Sequence, residues 1–224
     1  NFVMILRKLP HKIYLLMPNE ESTFYTKNLL VDGHATYDID EMGYDYHPKT
    51  STFNEKFIHL IEKVSNQFNI DLIVPVDNNV ILTLGKYKSL LKNLPQITNY
   101  NDYDSFINLN DKWEFYKVCQ KLNLPVPKSY KCESINDLKK IDLEFPIITK
   151  PLNHGNSVGI RITNSPSEIS EDIFKTSQFN FDAVIAQEFI SGKDLQILFI
   201  AKKGQLISHS LCFQYLNGLR VFIK

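Results

Sequence analysis

The sequence predicts an α/β first half joined to an α+β second half, and three observations carry that prediction. Two short apolar runs ended or interrupted by proline, KIYLLMP (Lys12–Pro18) and DLIVPV (Asp71–Val76), read as strands buried on both faces. A helical pattern lies between them, the order expected of a βαβ unit with a parallel sheet. From Ala183 onward the chain carries only strand signals, AVIAQEFI, DLQILFIA and QLISHSLCF, which predicts a mostly antiparallel sheet.

Taken in order, FVMILRKL after Asn1 reads as the tail of a helix, so the opening strand of the first unit is expected before residue 1. FNEKFIHLIEKVSNQF places Phe53, Phe57, Leu60, Ile61, Val64 and Phe68 at helical spacing. NNVILTLGKYKSLL reads as a second helix. Near residue 100 the character changes: NYNDYDSF is polar and aromatic, and NDKWEFYKVCQKL (Asn110–Leu122) is a helix capped by Asn110 or Asp111. NLPVPKSY is forced into an extended passage by its prolines. Ser134 with Asp137, and Ser165-Pro166-Ser167-Glu168, are capping-box starts of short helices, with Pro166 at the first helical position.

Composition removes several classes of function. The chain has 224 residues, 43% hydrophobic and 22% charged, enough for one large or two modest domains. With 25 basic and 25 acidic residues, its formal net charge of zero offers no field for nucleic acid or an anionic membrane. No apolar run approaches the ~20 residues of a membrane span, and no signal-peptide pattern opens the sequence. Cys119, Cys132 and Cys212 are unclustered, as in a reducing compartment, and no histidine sits at zinc-ligand spacing. A cytoplasmic protein without nucleic-acid or membrane partners is expected.

The residues that carry chemistry lie in the second half. In FPIITKPLNHGNSVGIRI an apolar strand ends on Lys150, and a polar loop, Asn153-His154-Gly155-Asn156-Ser157, follows before the strand pattern returns. Such a loop exposes backbone N–H groups and tolerates left-handed conformations. Lys112 falls in the first turn of the Asn110 helix, a poor place for a cation because that end is already partly positive. AQEFISGKDLQI ends one strand at Gln187-Glu188 and begins another at Asp194. Two lysines, an amide-rich flap and a carboxylate near a hinge describe a nucleoside triphosphate site. Each signal also has a plainer reading. Lys150 alone is a strand-end lysine snorkelling to water, Lys112 a surface lysine, and Asp194 a surface strand start. His154 reads as a solvated loop residue rather than a base. His209, Cys212 and Cys119 read as packed in apolar surroundings. Gly85-Lys86 lacks the rest of a Walker loop.

The order NDK-helix-LPVPKS, then FPIITKP-LNHGNSVGI, then AQEFISGKD, preceded by IDLIVPVDN (Ile70–Asn78), resembles the ATP-grasp family, closest to its carbamoyl-phosphate-synthase-like members. The resemblance implies a Rossmann-like pre-ATP-grasp domain at 1–108 and an ATP-grasp domain at 109–224, with 125–186 as its lid. It implies that Lys112 reaches the ATP phosphates, that Lys150 lies between the α-phosphate and the adenine, and that the flap Asn153, His154, Gly155, Asn156, Ser157 and Gly159 closes over the β- and γ-phosphates. Gln187, Glu188, Phe189 and Ile190 would be the hinge that reads adenine, and Asp194, where the family more often has Glu, would bind ribose. Only Gly155 and Gly159 supply glycine to this flap, few for the family. Arg220 could approach a phosphate. The Mg²⁺ ligands of the family are acidic residues and an asparagine on late strands; no Asp or Glu follows Asp194 here, so they are expected beyond Lys224.

The activity implied is an ADP-forming ligase that joins a small-molecule carboxylate to an amine through an acyl phosphate, with ATP and Mg²⁺. A homodimer is the open oligomeric expectation. Two other classes stay open. One is a nucleotide-binding module that has lost catalysis. The other is a nicotinamide-linked oxidoreductase, for which no G-x-G-x-x-G appears in the sequence.

Overall fold

A computed structural model describes residues 10–28, 31–47, 50–98, 103–155, 157–214 and 220–223. The helix tail expected just after Asn1 lies outside the described residues. The first half holds β1 (Tyr14–Pro18), α1 (Ser22–Asn28), β2 (Gly33–Tyr37), α2 (Glu55–Phe68), β3 (Leu72–Ile73), α3 (Asn78–Lys86) and β4 (Gln96–Ile97). Its strands form two separate parallel pairs, β1 with β2 and β3 with β4. Parallel pairing joined by helices agrees with the sequence, but the strands are shorter and less buried than expected. DLIVPV pairs only over Leu72–Ile73, and Val76 is 83% exposed. Pro75 removes a ladder donor there and ends the pairing.

The core of this half is built on α2. Asn54 caps it by accepting from Lys56 N at 2.9 Å, and the left-handed Asn69 ends it. Its buried side chains are Phe57, Ile58, Ile61 and Ser65, so the stripe turns slightly away from the expected Leu60 and Val64. Phe53, just before the helix, stacks on Phe57 at 4.4 Å, and Tyr37 meets both rings edge-on. Thr83 Oγ1 accepts from Phe53 N at 2.9 Å, which ties α3 to this cluster. α3 gives way to a 3-10 segment over Lys88–Asn93, where a continuous helix was expected.

The second half begins with α4 (Tyr103–Asn110) and α5 (Lys112–Lys121). Next come β5 (Ser129–Cys132), α6 (Ile135–Leu138), β6 (Ile147–Pro151), β7 (Arg161–Thr163) and β8 (Val184–Glu188). These strands form one antiparallel sheet in the order β5-β8-β6-β7. Ser134 caps α6 as expected, its Oγ accepting from Asp137 N. The second expected capping box fails. Pro166–Glu168 is a single 3-10 turn without a side-chain cap, because Ser165 Oγ pairs with Ser167 Oγ and Glu168 accepts from Asn164 N instead.

Side chains alternate across this sheet. Cys132, Thr149, Val184 and Ala186 point to one face, which buries Leu138 and Ile173. Ser129, Lys150, Ile185 and Gln187 share the other. Beyond it, β9 (Asp194–Lys202), β10 (Gln205–Gln214) and β11 (Arg220–Ile223) form an antiparallel sheet in the order β11-β10-β9. Lys203 and Gly204 turn the hairpin with φ of 51° and 78°, as a two-residue loop requires. Leu195, Ile197 and Phe199 on one face of β9, and Leu198 and Ile200 on the other, are exposed. His209 is exposed on β10, whereas Cys119 and Cys212 are buried. The expectation of a packed His209 is therefore corrected.

Candidate functional site

The site forms where α5 meets the loop after β6. Asp111 is the N-cap of α5 and accepts from Trp113 N at 2.9 Å and Glu114 N at 3.1 Å. Lys112, the first helical residue, donates its backbone N–H to Leu152 O at 3.0 Å. Its side chain turns back onto the same loop. Nζ donates to Pro151 O at 2.9 Å, His154 O at 2.7 Å and, at longer reach, Leu152 O at 3.4 Å. This resolves the awkward position of a cation at a helix N-terminus: the carbonyl dipoles of the loop compensate it. Tyr116, Leu152 and Ile185 pack beneath, with Trp113 stacked on Tyr116.

Lys150 lies on the same face of the sheet as Gln187. Its Nζ donates to Gln187 Oε1 at 2.9 Å. Gln187 Nε2 donates to Ser129 Oγ at 2.9 Å, and Ser129 Oγ donates to Pro127 O at 2.8 Å. Sequence reading found Lys150 and Gln187 but missed Ser129, whose position two residues after Pro127 and on the Gln187 face was the available signal.

Both ammonium groups are half-buried, and among the described residues neither is within ion-pair distance of a carboxylate. Burial, then the Lys150 charge, pull Lys112 below the ordinary lysine range, with Asp111 opposing. Burial lowers Lys150 as well, and the Asp194 carboxylate partly restores it. Positive charge held at reduced dielectric by neutral acceptors is stabilised further by an anion, and Lys112 and Lys150 are two such groups.

The described flap residues make local turns. Val158 N donates to Gly155 O and Ile160 N to Ser157 O. Ser157 and Gly159 take φ of 61° and 69°. A Cβ on Gly159 would lie 2.6 Å from both Phe181 and Pro151, whereas one on Gly155 would meet nothing within 4 Å. The His154 ring sits 5.1 Å from Phe179 and 5.0 Å from Phe181. It is therefore packed between rings rather than solvated as expected. Burial and the nearby Lys112 charge lower its pKa. Asn153 is half-buried beside it, and Asn156 lies outside the described residues.

At the other end, Glu188 closes β8. Its N–H donates to Lys128 O at 3.0 Å, and its carboxylate accepts from Lys128 N at 3.4 Å. That side chain thus has a structural partner. Phe189 and Ile190 lead to a concavity of about 520 Å³ formed by Ile190–Gln196, with Asp194 exposed at the start of β9. Arg220 opens β11 opposite Gln214, and its side chain is outside the described part. Among the described residues no group of three or more His, Cys, Asp or Glu is placed to hold a metal ion.

The family model of the ATP-grasp domain matches residues 109–221, which contain the whole of this site. The chain belongs to the ATP-grasp family. Among curated proteins, the ATP-grasp chain is 30% identical over 96 residues to the D-alanine–D-alanine ligase of Aromatoleum aromaticum (strain DSM 19018 / LMG 30748 / EbN1), covering 42% of this chain and 31% of that one. It is 33% identical over 103 residues to the enzyme of the same name from Buchnera aphidicola subsp. Schizaphis graminum (strain Sg), covering 42% and 33%. The chain thus spans about a third of the length of these relatives. Among solved structures, an ADP complex of N5-carboxyaminoimidazole ribonucleotide synthetase superposes with a TM-score of 0.65 at 13% identity, over 97% of this chain and 52% of that one. D-alanine–D-alanine ligase from Helicobacter pylori gives 0.58 at 15% identity, over 96% and 74%. At such identities the likeness concerns the fold, and it extends through the first half. Among the described residues no helix is long and apolar enough to cross a membrane.

Proposed function

We propose that this ATP-grasp chain is the nucleotide-binding part of an ATP-dependent carboxylate–amine ligase. The observation that carries the reading is the pair of half-buried lysines, Lys112 and Lys150, directed to one loop and one sheet face with no carboxylate within ion-pair distance among the described residues. ATP would supply the phosphoryl group that activates a carboxylate as an acyl phosphate. Lys112 would exchange its loop carbonyls for phosphate oxygens, and Lys150 would leave Gln187 for the same purpose. Stabilising charge on a transferring phosphoryl group is the main contribution a protein makes to this chemistry. Residues 153–159 would close over the phosphates and exclude water from the activated carboxylate. Gln187 and the 188–190 backbone would read the base, with Asp194 at the ribose.

The division into a first domain at 1–108 and an ATP-grasp domain at 109–224, with 125–186 as lid, belongs to this proposal. So do its small-molecule carboxylate and amine substrates, a Mg²⁺ requirement, and a reducing, cytoplasmic setting. Parallel strand pairs in the first half support a Rossmann-like reading of it. The test is release of phosphate from Mg-ATP by the full-length protein, screened with pairs of amino acids and with bicarbonate plus amines. Phosphate release that requires both a carboxylate and an amine supports the ligase. ATP binding with no release for any pair would favour a nucleotide-binding module without catalysis.

A further inference from the structure

Ser129 stands at the start of β5 directly opposite Gln187 of β8, and it is 6% exposed. Its hydroxyl proton is committed to Pro127 O at 2.8 Å, so Oγ offers Gln187 only lone pairs. Gln187 Nε2 donates to them at 2.9 Å, and at its other end Oε1 accepts from the Lys150 ammonium at 2.9 Å. Turning the amide over would set Nε2 against a group that has only donors. It would also set Oε1 against an oxygen whose proton is spent. Both ends therefore enforce one orientation.

We propose that Ser129 is a positioning residue that, through the Gln187 amide, selects a purine with a 6-amino group over one with a 6-oxo group. The inference rests on the nucleotide reading given above. Once phosphate oxygens draw the Lys150 ammonium away, Ser129 is, among the described residues, the group that keeps the amide from turning. Oε1 then faces the base as an acceptor. The 6-amino group of adenine donates to it, whereas the 6-oxo group of hypoxanthine or guanine opposes acceptor to acceptor. A site that leaves a buried polar group unpaired with the wrong ligand discriminates strongly.

The test measures equilibrium binding of ATP, ITP and GTP to the full-length protein and to Ser129→Ala and Ser129→Thr, with circular dichroism of each. Wild type prefers ATP. Ser129→Ala narrows the ATP:ITP preference by roughly tenfold, and Ser129→Thr, which keeps the hydroxyl, restores it. The double variant Ser129→Ala/Gln187→Glu also keeps the preference, because a carboxylate presents an acceptor whichever way it turns. An unchanged ATP:ITP ratio in a folded Ser129→Ala overturns the proposal, as does loss of the preference in the double variant. A wild type that binds ATP and ITP equally overturns the base selection alone. A wild type that binds no nucleotide removes the reading beneath it as well.

Discussion

Lys112 Nζ donates to the His154 carbonyl at 2.7 Å, so the first residue of α5 holds the loop after β6 across 42 positions of sequence. With the bond to Pro151 O, this lysine latches a flap that its own release would free. Replacing Lys112 by Met keeps the apolar stem and removes the donors. Amide hydrogen exchange across residues 152–160 is expected to quicken by roughly tenfold or more, the worth of one or two charged hydrogen bonds. Unchanged protection there would show that the latch does not restrain the flap.

The His154 ring between Phe179 and Phe181 gives the flap a pH dependence. Burial and the Lys112 charge lower its pKa below the ordinary 6.5, so the undocked loop binds the proton more readily than the docked one. Docking is fully stable above pH 6.5 and weakens as pH falls from there through the lowered value. Exchange protection of Val158 and Ile160, corrected for intrinsic rates, should therefore drop as pH falls below 6.5. His154→Phe, which keeps a ring and cannot titrate, should flatten the profile. The same drop in that variant would assign the effect elsewhere.

The two flap glycines differ in kind. Gly159 has φ of 69°, and an added methyl carbon would lie 2.6 Å from two neighbours, so Gly159→Ala is expected to cost about 1–3 kcal/mol. Gly155 has open space around its missing Cβ, and Gly155→Ala should stay within about 0.5 kcal/mol. Urea unfolding of both variants checks the contrast. Equal effects would mean that the close packing of Gly159 on Phe181 and Pro151 is relieved at little cost.

Thr149, on the face opposite Lys150, is fully buried, and its Oγ1 has no hydrogen-bond partner among the described residues. Thr149→Val removes that unsatisfied hydroxyl at nearly constant shape, and stability should rise by about 1 kcal/mol. ATP affinity should not change, because the altered methyl faces the core beside Ala186. A destabilised variant would show that the hydroxyl is satisfied in solution.

Legibility in the sequence followed the range of the interactions involved. Local signals located α2, α5, α6 and the strands β6, β8, β9 and β10, because periodicity and caps act within a few residues. β2, GHATY, was missed since its burial alternates weakly, and the Ser165 capping box failed where two serines bonded each other. Lys112, Lys150 and Gln187 were marked by order and residue type. Their actual partners were not, since the carbonyls after β6 and Ser129 reach them only through strand pairing between distant segments. His154 looked solvated because Phe179 and Phe181, which flank its ring, come more than twenty residues later.

The central claim is that Lys150 and its neighbours bind nucleoside triphosphate, and calorimetric titration of Mg-ATP into the full-length protein and into Lys150→Ala tests it directly. Loss of one charged contact to phosphate is worth about 1.5–3 kcal/mol, so the variant should bind roughly 10- to 100-fold more weakly. Its circular dichroism should be unchanged, since removing a half-buried cation leaves only Gln187 Oε1 without its donor. Equal affinity of the two proteins for Mg-ATP would contradict the account.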